Sequence, residues 1–240
     1  MKRTTTTTLL AAGLALGTTA ATQANLINEL QSNPPGSDPS QQTIEFLGTP
    51  NAAFSGVLLS IESDNTGSRG EVQQIENLSG SYDANGLLTF DIDDLENPSF
   101  TLVLLDSFTG SSGFDIDTDD DGTVDDTTGF GTVLDALGVP DSGSDAVYGM
   151  ELGGQDFAIG AEPELLFRDG ATQSWYAVDE IDADPLDLFD VDGNSVDPAA
   201  FSSDPSVSTF GTTNPAIPEP TSVALLALGG GLLALRRQRM

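Results

Sequence analysis

Seven aspartates within twelve residues are the feature of this sequence that most clearly suggests chemistry. They are Asp115, Asp117, Asp119, Asp120, Asp121, Asp125 and Asp126, and no basic residue interrupts them. Two unit charges 4 Å apart repel by about 1 kcal/mol even in bulk water. A compact loop at this place is therefore costly unless a cation neutralises it.

The order of the aspartates fits a Ca²⁺ loop, in which alternate carboxylates converge on one ion and Gly122 permits the sharp turn. The predicted ligands are Asp117, Asp119, Asp121, the backbone carbonyl of Thr123, and Asp125, directly or through water. Position 12 is Thr128 rather than the bidentate Glu of an EF-hand, and no helical pattern flanks the loop. The sequence predicts a weak site, with a Kd toward roughly 10⁻⁴–10⁻³ M. Asp126 or a distant carboxylate is a candidate for the missing ligand, and a solvated acidic loop is the alternative.

Two further acidic motifs carry less information. Residues 190–194 (Asp-Val-Asp-Gly-Asn) match the end of such a loop, but Leu188 stands at the first ligand position, so an Asp-Gly turn is the simpler interpretation. Residues 141–144 (Asp-Ser-Gly-Ser) match an aspartic-protease signature. The chain has no second copy of that signature, so a catalytic pair would need a dimer, and a turn is again the simpler interpretation.

The composition excludes most other catalytic chemistry. The 240 residues include no His and no Cys, which rules out Ser–His–Asp triads, thiol nucleophiles, disulfides and His- or Cys-ligated metals. Residues 25–215 contain no Lys and hold 37 acidic residues against two arginines, a net charge of −35. Such a body repels nucleic acid and anionic lipid and attracts cations.

The N-terminus has the pattern of a secretory signal peptide. A short positive segment, Met1–Arg3, precedes the apolar run Leu9–Leu16, and small residues at Ala20, Ala21 and Ala24 offer cleavage positions. The pattern predicts a signal peptide over residues 1–24 and export of the rest.

The C-terminus has the pattern of a membrane anchor. Pro218-Glu219-Pro220 precedes a 15-residue apolar run, Thr221–Leu235, which is followed by Arg236 and Arg237. A helix of that run is about 22 Å long, against roughly 30 Å of bilayer hydrocarbon, and the arginines can snorkel. Because positive residues favour the cytoplasmic side, the body is expected to face outward from a single transmembrane helix.

This tripartite tail resembles the PEP-CTERM sorting signal, whose signal residues here are Pro218, Glu219, Pro220, Arg236 and Arg237. The resemblance implies cleavage near the Pro-Glu-Pro motif by an exosortase, a membrane transpeptidase-like enzyme. It also implies a Gram-negative-type envelope, a transient inner-membrane anchor, and delivery to the cell surface or extracellular matrix. A permanent anchor is the alternative.

Between the ends the sequence predicts an all-β body. Apolar and polar residues alternate over 57–61 and 88–92, and the run 100–105 is apolar on both faces, which favours a central strand. Residues 133–137 fit either a strand or a short helix. Short strands separated by Gly, Asp, Asn and Ser favour a sandwich or barrel.

Turns and packing residues complete this prediction. Residues 83–86 (Asp-Ala-Asn-Gly) predict a turn before a strand, and 165–178 predict a hairpin around Arg168-Asp169-Gly170. We expect Trp175 and Tyr176 to pack rather than bind sugar, and Arg168 to pair with carboxylates. Residues 201–216 are rich in Ser, Thr and Pro and predict a flexible spacer between a body at 25–200 and the sorting segment at 217–240.

The start of the body resembles bacterial lamin-tail-like domains. Leu26–Leu30 (with Ile-Asn-Glu), Ile44-Glu45-Phe46 and Phe54–Val57 (with Ser-Gly) follow the order of early strands in those domains, and 83–92 and 100–106 match later ones. The resemblance implies an Ig-like β-sandwich over about 25–150 with an acidic insertion at 115–126. It also implies a surface module without catalysis of its own; whether 150–200 belongs to the same sandwich stays open.

Together these observations predict an exported structural or adhesive component of the envelope or exopolysaccharide. Ca²⁺ would crosslink the polyanionic body to itself or to acidic polysaccharide. No catalytic residue is assigned. The alternative is a secreted polysaccharide-active hydrolase, or a carbohydrate-binding module, that uses Asp/Glu and aromatic residues.

Overall fold

The computed structural model describes residues 24–36, 39–95 and 99–218. These residues form an all-β, sandwich-like fold of two sheets without an α-helix. The predicted signal peptide at 1–24 falls almost wholly outside this range, as does the sorting segment beyond Pro218. Within the described ranges no helix has the length and apolar character needed to cross a membrane.

Eleven strands follow one another along the described chain. They are β1 (Leu26–Leu30), β2 (Gln41–Leu47), β3 (Ala53–Glu62), β4 (Val72–Ser81), β5 (Leu87–Asp93), β6 (Phe100–Leu105), β7 (Val133–Val139), β8 (Gln155–Asp156), β9 (Leu165–Arg168), β10 (Trp175–Val178) and β11 (Leu188–Asp190), with a short 3₁₀ helix at Pro198–Ala200. Sheet A has the order β11-β10-β9-β1-β2-β5, and sheet B has the order β4-β3-β6-β7-β8. Because β8 joins sheet B and β9–β11 join sheet A, residues 150–200 belong to the same two-sheet body.

The alternation of side chains divides the apolar residues among three clusters. Leu58, Leu102 and Leu104 pack between the sheets with Ile27 and Ile44 of sheet A. Their strand neighbours in sheet B point the other way into a flank cluster, which also holds Ile116 and Tyr148. Its buried strand members are Val57, Leu59, Ile61, Val72, Val103, Leu105 and Ala136. This second cluster explains why residues 100–105 are apolar on both faces.

A third cluster covers the outer face of sheet A. Phe167 and Val178 pack there against Phe201 and Ile217 from the C-terminal part of the described chain. Phe167 and Phe201 contact edge to face, with ring centroids 5.7 Å apart. Sheet A is therefore covered on both faces, as sheet B is.

The strand predictions are confirmed. Residues 57–61, 88–92 and 100–105 lie in β3, β5 and β6, and β6 is central, between β3 and β7. The hairpin is β9–β10, with Trp175 opposite Arg168. The undecided segment 133–137 is a strand, β7, because its residues complete the pairing of β6.

The prediction of a flexible spacer at 201–216 is wrong. We call residues 201–217 the C-terminal strap. The strap lies on the outer face of sheet A, where Asn214 is buried and donates to the carbonyls of Asn28 and Arg168. Composition misled here, because Ser, Thr and Asn also supply hydrogen-bond donors to buried acceptors, and those partners lie far away in the sequence.

Candidate calcium site in the acidic loop

The acidic loop is positioned by the turn between β3 and β4. The backbone N–H of Ile116 donates to the carbonyl of Gly70 at 3.0 Å, and that of Val72 donates to the carbonyl of Phe114 at 2.8 Å. Ile116 is fully buried in the flank cluster of sheet B. Gly70 has φ +85°, and a Cβ there would lie 2.6 Å from the Cβ of Asp117. Glycine is needed at this point because the turn and the loop approach so closely.

Asp117 is the buried end of the candidate site. Its Oδ1 accepts the N–H of Asp121 at 3.0 Å, and its Oδ2 accepts the N–H of Gly122 at 2.8 Å and the hydroxyl of Tyr148 at 2.8 Å. The Nε of Arg69 lies 3.4 Å from the same Oδ2. Because each carboxylate oxygen has two lone pairs, Oδ1 retains one for a further ligand, while Oδ2 is saturated.

Three of the predicted ligands come together. Carboxylate oxygens of Asp117, Asp119 and Asp125 lie within 4.8 Å of one another, with Asp117 buried and the other two exposed. Three carboxylates at this spacing can hold a divalent cation. The arrangement agrees with positions 1, 3 and 9 of the predicted loop.

The other two residues among the predicted ligands, Asp121 and Thr123, are hydrogen-bonded to each other. The Oδ1 of Asp121 accepts both the N–H of Thr123 at 3.0 Å and its hydroxyl at 2.5 Å, so the Asp121 carboxylate is used within the loop. The turn itself has the expected form, since Gly122 has φ +89° and Asp120, two residues earlier, has φ +55°. Sequence alone does not distinguish an aspartate that faces the centre of such a loop from one that caps its turn.

Repulsion dominates the electrostatics of the exposed part of the site. The pKa of Asp119 is raised first by the charge of Asp121, then by partial desolvation and by the charge of Asp125. A cation held between these groups would remove that repulsion, and it would favour the ionised form of Asp119.

Residues outside the acidic run also hold the loop. The carboxylate of Glu151 accepts the N–H of Val124 at 2.9 Å, and burial, followed by the hydrogen bond to Asp117, raises the pKa of Tyr148, which keeps it a neutral donor. Arg69 also contacts the loop from outside the acidic run. It could have been singled out from the sequence, because it is one of two basic residues between 25 and 215. Tyr148 and Glu151 carried no signal that sequence reasoning could use.

A second acidic group lies at the end of β7. Carboxylate oxygens of Asp64, Asp141 and Asp145 lie within 4.8 Å of one another. The hydroxyl of Ser99 lies 3.0 Å from Asp141 and 2.7 Å from Asp145. Partial burial and the hydrogen bond to Asp145 raise the pKa of Asp141 to about 6. For Asp145, burial is outweighed by hydrogen bonds from Asp141, Ser99 and Ser142, and its pKa is lowered to about 2.

Residues 190–194 form a turn. The Oδ1 of Asp190 accepts the N–H groups of Asp192 at 3.1 Å and Asn194 at 2.8 Å, and Gly193 has φ +75°. This side chain is engaged by its own backbone, as in an Asx turn. The simpler interpretation of this motif fits the structure.

Sequence reasoning missed a pair of buried glutamates on the outer face of sheet A. Glu29 on β1 and Glu45 on β2 are register partners with 1% and 0% exposure. Burial is the main cause that raises both pKa values, that of Glu29 to about 7, and the charge of Glu45 adds to the shift of Glu29. A signal existed, because each glutamate directly precedes an apolar residue within a strand that buries its neighbours.

Arg168 and Trp175 have the structural roles that were predicted. Arg168 on β9 forms an ion pair with Asp135 on β7 at 2.8 Å, which joins the two sheets through the interior. The guanidinium also lies 4.5 Å from the ring centroid of Trp175, which is fully buried. Burial raises the pKa of Asp135 despite the attraction of Arg168, so desolvation outweighs the ion pair here.

A scan against protein-family profiles, a search of curated proteins and a search of solved structures each gave no match for this chain. The functional argument therefore rests on the sequence and on the geometry above.

Proposed function

We propose that this chain is an exported, calcium-binding β-sandwich protein with a structural or adhesive role at the cell surface or in the extracellular matrix. The observation that carries the proposal is the convergence of Asp117, Asp119 and Asp125 within 4.8 Å in a loop that no lysine neutralises. A body of net charge −35 gains most from a divalent cation where its carboxylates are closest.

The finer parts of the proposal come from the resemblances. The order of short motifs over about 25–150 supports a lamin-tail-like, Ig-like sandwich, and the signal pattern at 1–24 supports export. The tail with Pro218, Glu219, Pro220, Arg236 and Arg237 supports a transient inner-membrane anchor and processing by an exosortase-like enzyme. At the surface, Ca²⁺ would bridge the acidic body to itself or to an acidic polysaccharide.

The calcium site is tested by titrating the full chain in a mild detergent at fixed ionic strength, with calorimetry and thermal melting as readouts. We expect saturable binding with a Kd in the range of roughly 10⁻⁴–10⁻³ M and a rise in Tm. Asp119→Asn and Asp125→Asn should each weaken binding at least tenfold.

The matched control is Asp120→Asn, which removes the same charge from the same loop outside the group of three. Asparagine also tolerates the φ of +55° found there. The proposal fails if Asp120→Asn weakens binding as much as Asp119→Asn does, or if NaCl alone reproduces the rise in Tm. In either case Ca²⁺ would act only by screening charge.

A second candidate function is carboxylate-based hydrolysis, favoured by the divergent pKa values of Asp141 and Asp145. Such divergence is what an acid/base pair needs. Neither Asp141 nor Asp145 lines any of three cavities, which have volumes of about 220, 290 and 420 Å³. Release of reducing ends from acidic and neutral polysaccharides, lost in Asp141→Asn, would support hydrolysis over the structural role.

A further inference from the structure

The strap is held on sheet A by the two buried glutamates. Its Thr209 N–H donates to Glu29 Oε1 at 2.6 Å, and its Gly211 N–H donates to Glu45 Oε2 at 2.5 Å. Asn28 on β1 donates to the other oxygen of Glu45 at 2.7 Å. The central part of the strap is therefore fixed by carboxyl acceptors rather than by a β-ladder.

The hydroxyl of Thr209 lies between Glu29 and Asn214 of the strap. The Thr209 hydroxyl lies 2.8 Å from Glu29 Oε2 and 3.0 Å from Asn214 Oδ1. It has one hydrogen, so it can donate to only one of them. The amide orientation of Asn214 is set by its Nδ2, which donates to the carbonyls of Asn28 and Arg168. Asn214 Oδ1 also accepts from the Nδ2 of Asn28 at 3.4 Å, so the Thr209 hydroxyl can donate to Glu29. A proton on Glu29 is favoured instead by its burial directly opposite Glu45.

The charges around the pair support the same assignment. Glu45 accepts from two N–H donors, which suits a carboxylate, and Asp83 adds further negative potential to it. The strap faces the pair with the uncharged Thr209, Gly211 and Asn214. On β9 the guanidinium of Arg168 is engaged with Asp135, and Asp169 accepts the N–H of Ile217 at 2.7 Å. Among the described residues no cation pairs with the two glutamates, which favours a single proton shared between them.

We propose that the C-terminal strap is a proton-operated latch, held on the outer face of sheet A while Glu29 carries a proton and loosened when Glu29 ionises. Ionisation places two buried carboxylates opposite each other on neighbouring strands, and their mutual repulsion and their need for hydration favour opening of the strap. Loosening uncovers the third apolar cluster around Phe167 and releases Ile217 from Asp169.

The pH range of the latch follows from linkage. Glu29 has its pKa raised from 4.5 to about 7 when the strap is closed. A raised carboxyl pKa favours the closed state most strongly below pH 4.5, and this contribution is lost as pH rises from 4.5 to about 7. The latch is therefore tight in mild acid and weakest at and above neutral pH.

The latch goes beyond the proposed function and does not depend on calcium. It concerns the 17 residues that directly precede Pro218, so a loose strap adds a tether of roughly 55 Å between the body and the segment after it. Access of a processing enzyme to that segment would then depend on pH.

Hydrogen–deuterium exchange of the full chain in a mild detergent tests the latch, with EDTA present so that the acidic loop does not contribute. We expect the protection of the Thr209 and Gly211 amides, corrected for intrinsic rates, to fall roughly tenfold per pH unit between pH 5 and 7 and then to level off. Core amides of β3 and β6 should show no such change. Protection that stays constant from pH 5 to 8 would overturn the proposal.

Two further measurements separate the latch from a general pH effect. Glu29→Gln keeps a donor and an acceptor without charge, so strap protection should become independent of pH, whereas the exposed control Glu180→Gln should behave as the natural chain. Equal pH dependence in Glu29→Gln and the natural chain would refute the latch. On the unmodified chain, the ¹³C carboxyl signal of Glu29 should titrate near pH 7; a midpoint near 4.5 would likewise refute it.

Discussion

At the scale of single residues, the hydroxyl of Tyr148 secures the acidic loop to the body. It is fully buried and donates to Asp117, whose other donors are backbone N–H groups within the loop and whose ion-pair partner is Arg69. A buried hydrogen bond to a charged group contributes more than one between neutral groups, because the unpaired carboxylate retains its desolvation penalty.

Tyr148→Phe should therefore lower the free energy of unfolding by about 1.5–3 kcal/mol. Urea denaturation of this variant, monitored by Trp175 fluorescence, measures the change. Tyr176→Phe removes the same atom on the opposite flank of the molecule and is expected to have a smaller effect. An effect of Tyr148→Phe no larger than this control would show that Asp117 needs no donor from the body.

At the scale of elements, the ion pair between β9 and β7 joins the sheets at a cost. Arg168 also donates to the carbonyl of Ile27, and Asp135 accepts the N–H of the same residue, so one ion pair satisfies the backbone where β1 has its bulge. The irregularity of β1 and the buried ion pair depend on each other.

Arg168→Met should destabilise the protein by about 3–5 kcal/mol, since it leaves Asp135 charged and unpaired in the interior. The loss should shrink at low pH, because burial already raises the pKa of Asp135 and removal of the arginine raises it further. Chemical denaturation at pH 4.5 and pH 8 tests this. The double variant Arg168→Met/Asp135→Asn keeps an acceptor for Ile27 without the charge, and it should be more stable than the single variant at pH 8.

Whether an element could be predicted from the sequence depends on whether the residues that form it give a local signal. Strands β3, β5, β6, β9 and β10 follow from alternation and turn chemistry, because those signals are local. The 3₁₀ helix, the short β8 and the strap depend on partners far away in the chain, such as Glu29 and Glu45 for Thr209 and Gly211. In the loop, spacing correctly grouped Asp117, Asp119 and Asp125. The hydrogen bond from Tyr148 and the ion pair with Arg69 arise only when the β7–β8 connection and the β3–β4 turn meet the loop.

At the scale of the whole molecule, carboxyls with opposite pKa shifts set the pH of greatest stability. The pKa values of Glu29 and Asp141 are raised to about 7 and about 6, so the stability that their protonation confers is lost as pH rises from about 4 toward 7. The pKa of Asp145 is lowered to about 2, so its contribution is lost as pH falls from 3.8 to about 2.

We therefore expect maximal stability near pH 4, with a lower Tm at pH 8 and at pH 2.5. Melting at constant ionic strength from pH 2 to 9 checks this expectation. In Glu29→Gln the decline between pH 5 and 7 should be smaller, and a stability maximum above pH 7 would contradict the assigned shifts. High NaCl should raise Tm at pH 8, because it screens repulsion in a body of net charge −35.

The contact between strand β1 and the strap has a mechanical consequence. Asn28, near the start of the body, is hydrogen-bonded to Asn214, near its end, so the first and last parts of the described chain lie side by side. A pull on the C-terminal side of the strap loads the hydrogen bonds of the strap before those of the strands, because the strap is the segment that carries the pull into the body. The strap would thus detach from sheet A and extend at a lower force than the one that separates the strands of the sandwich.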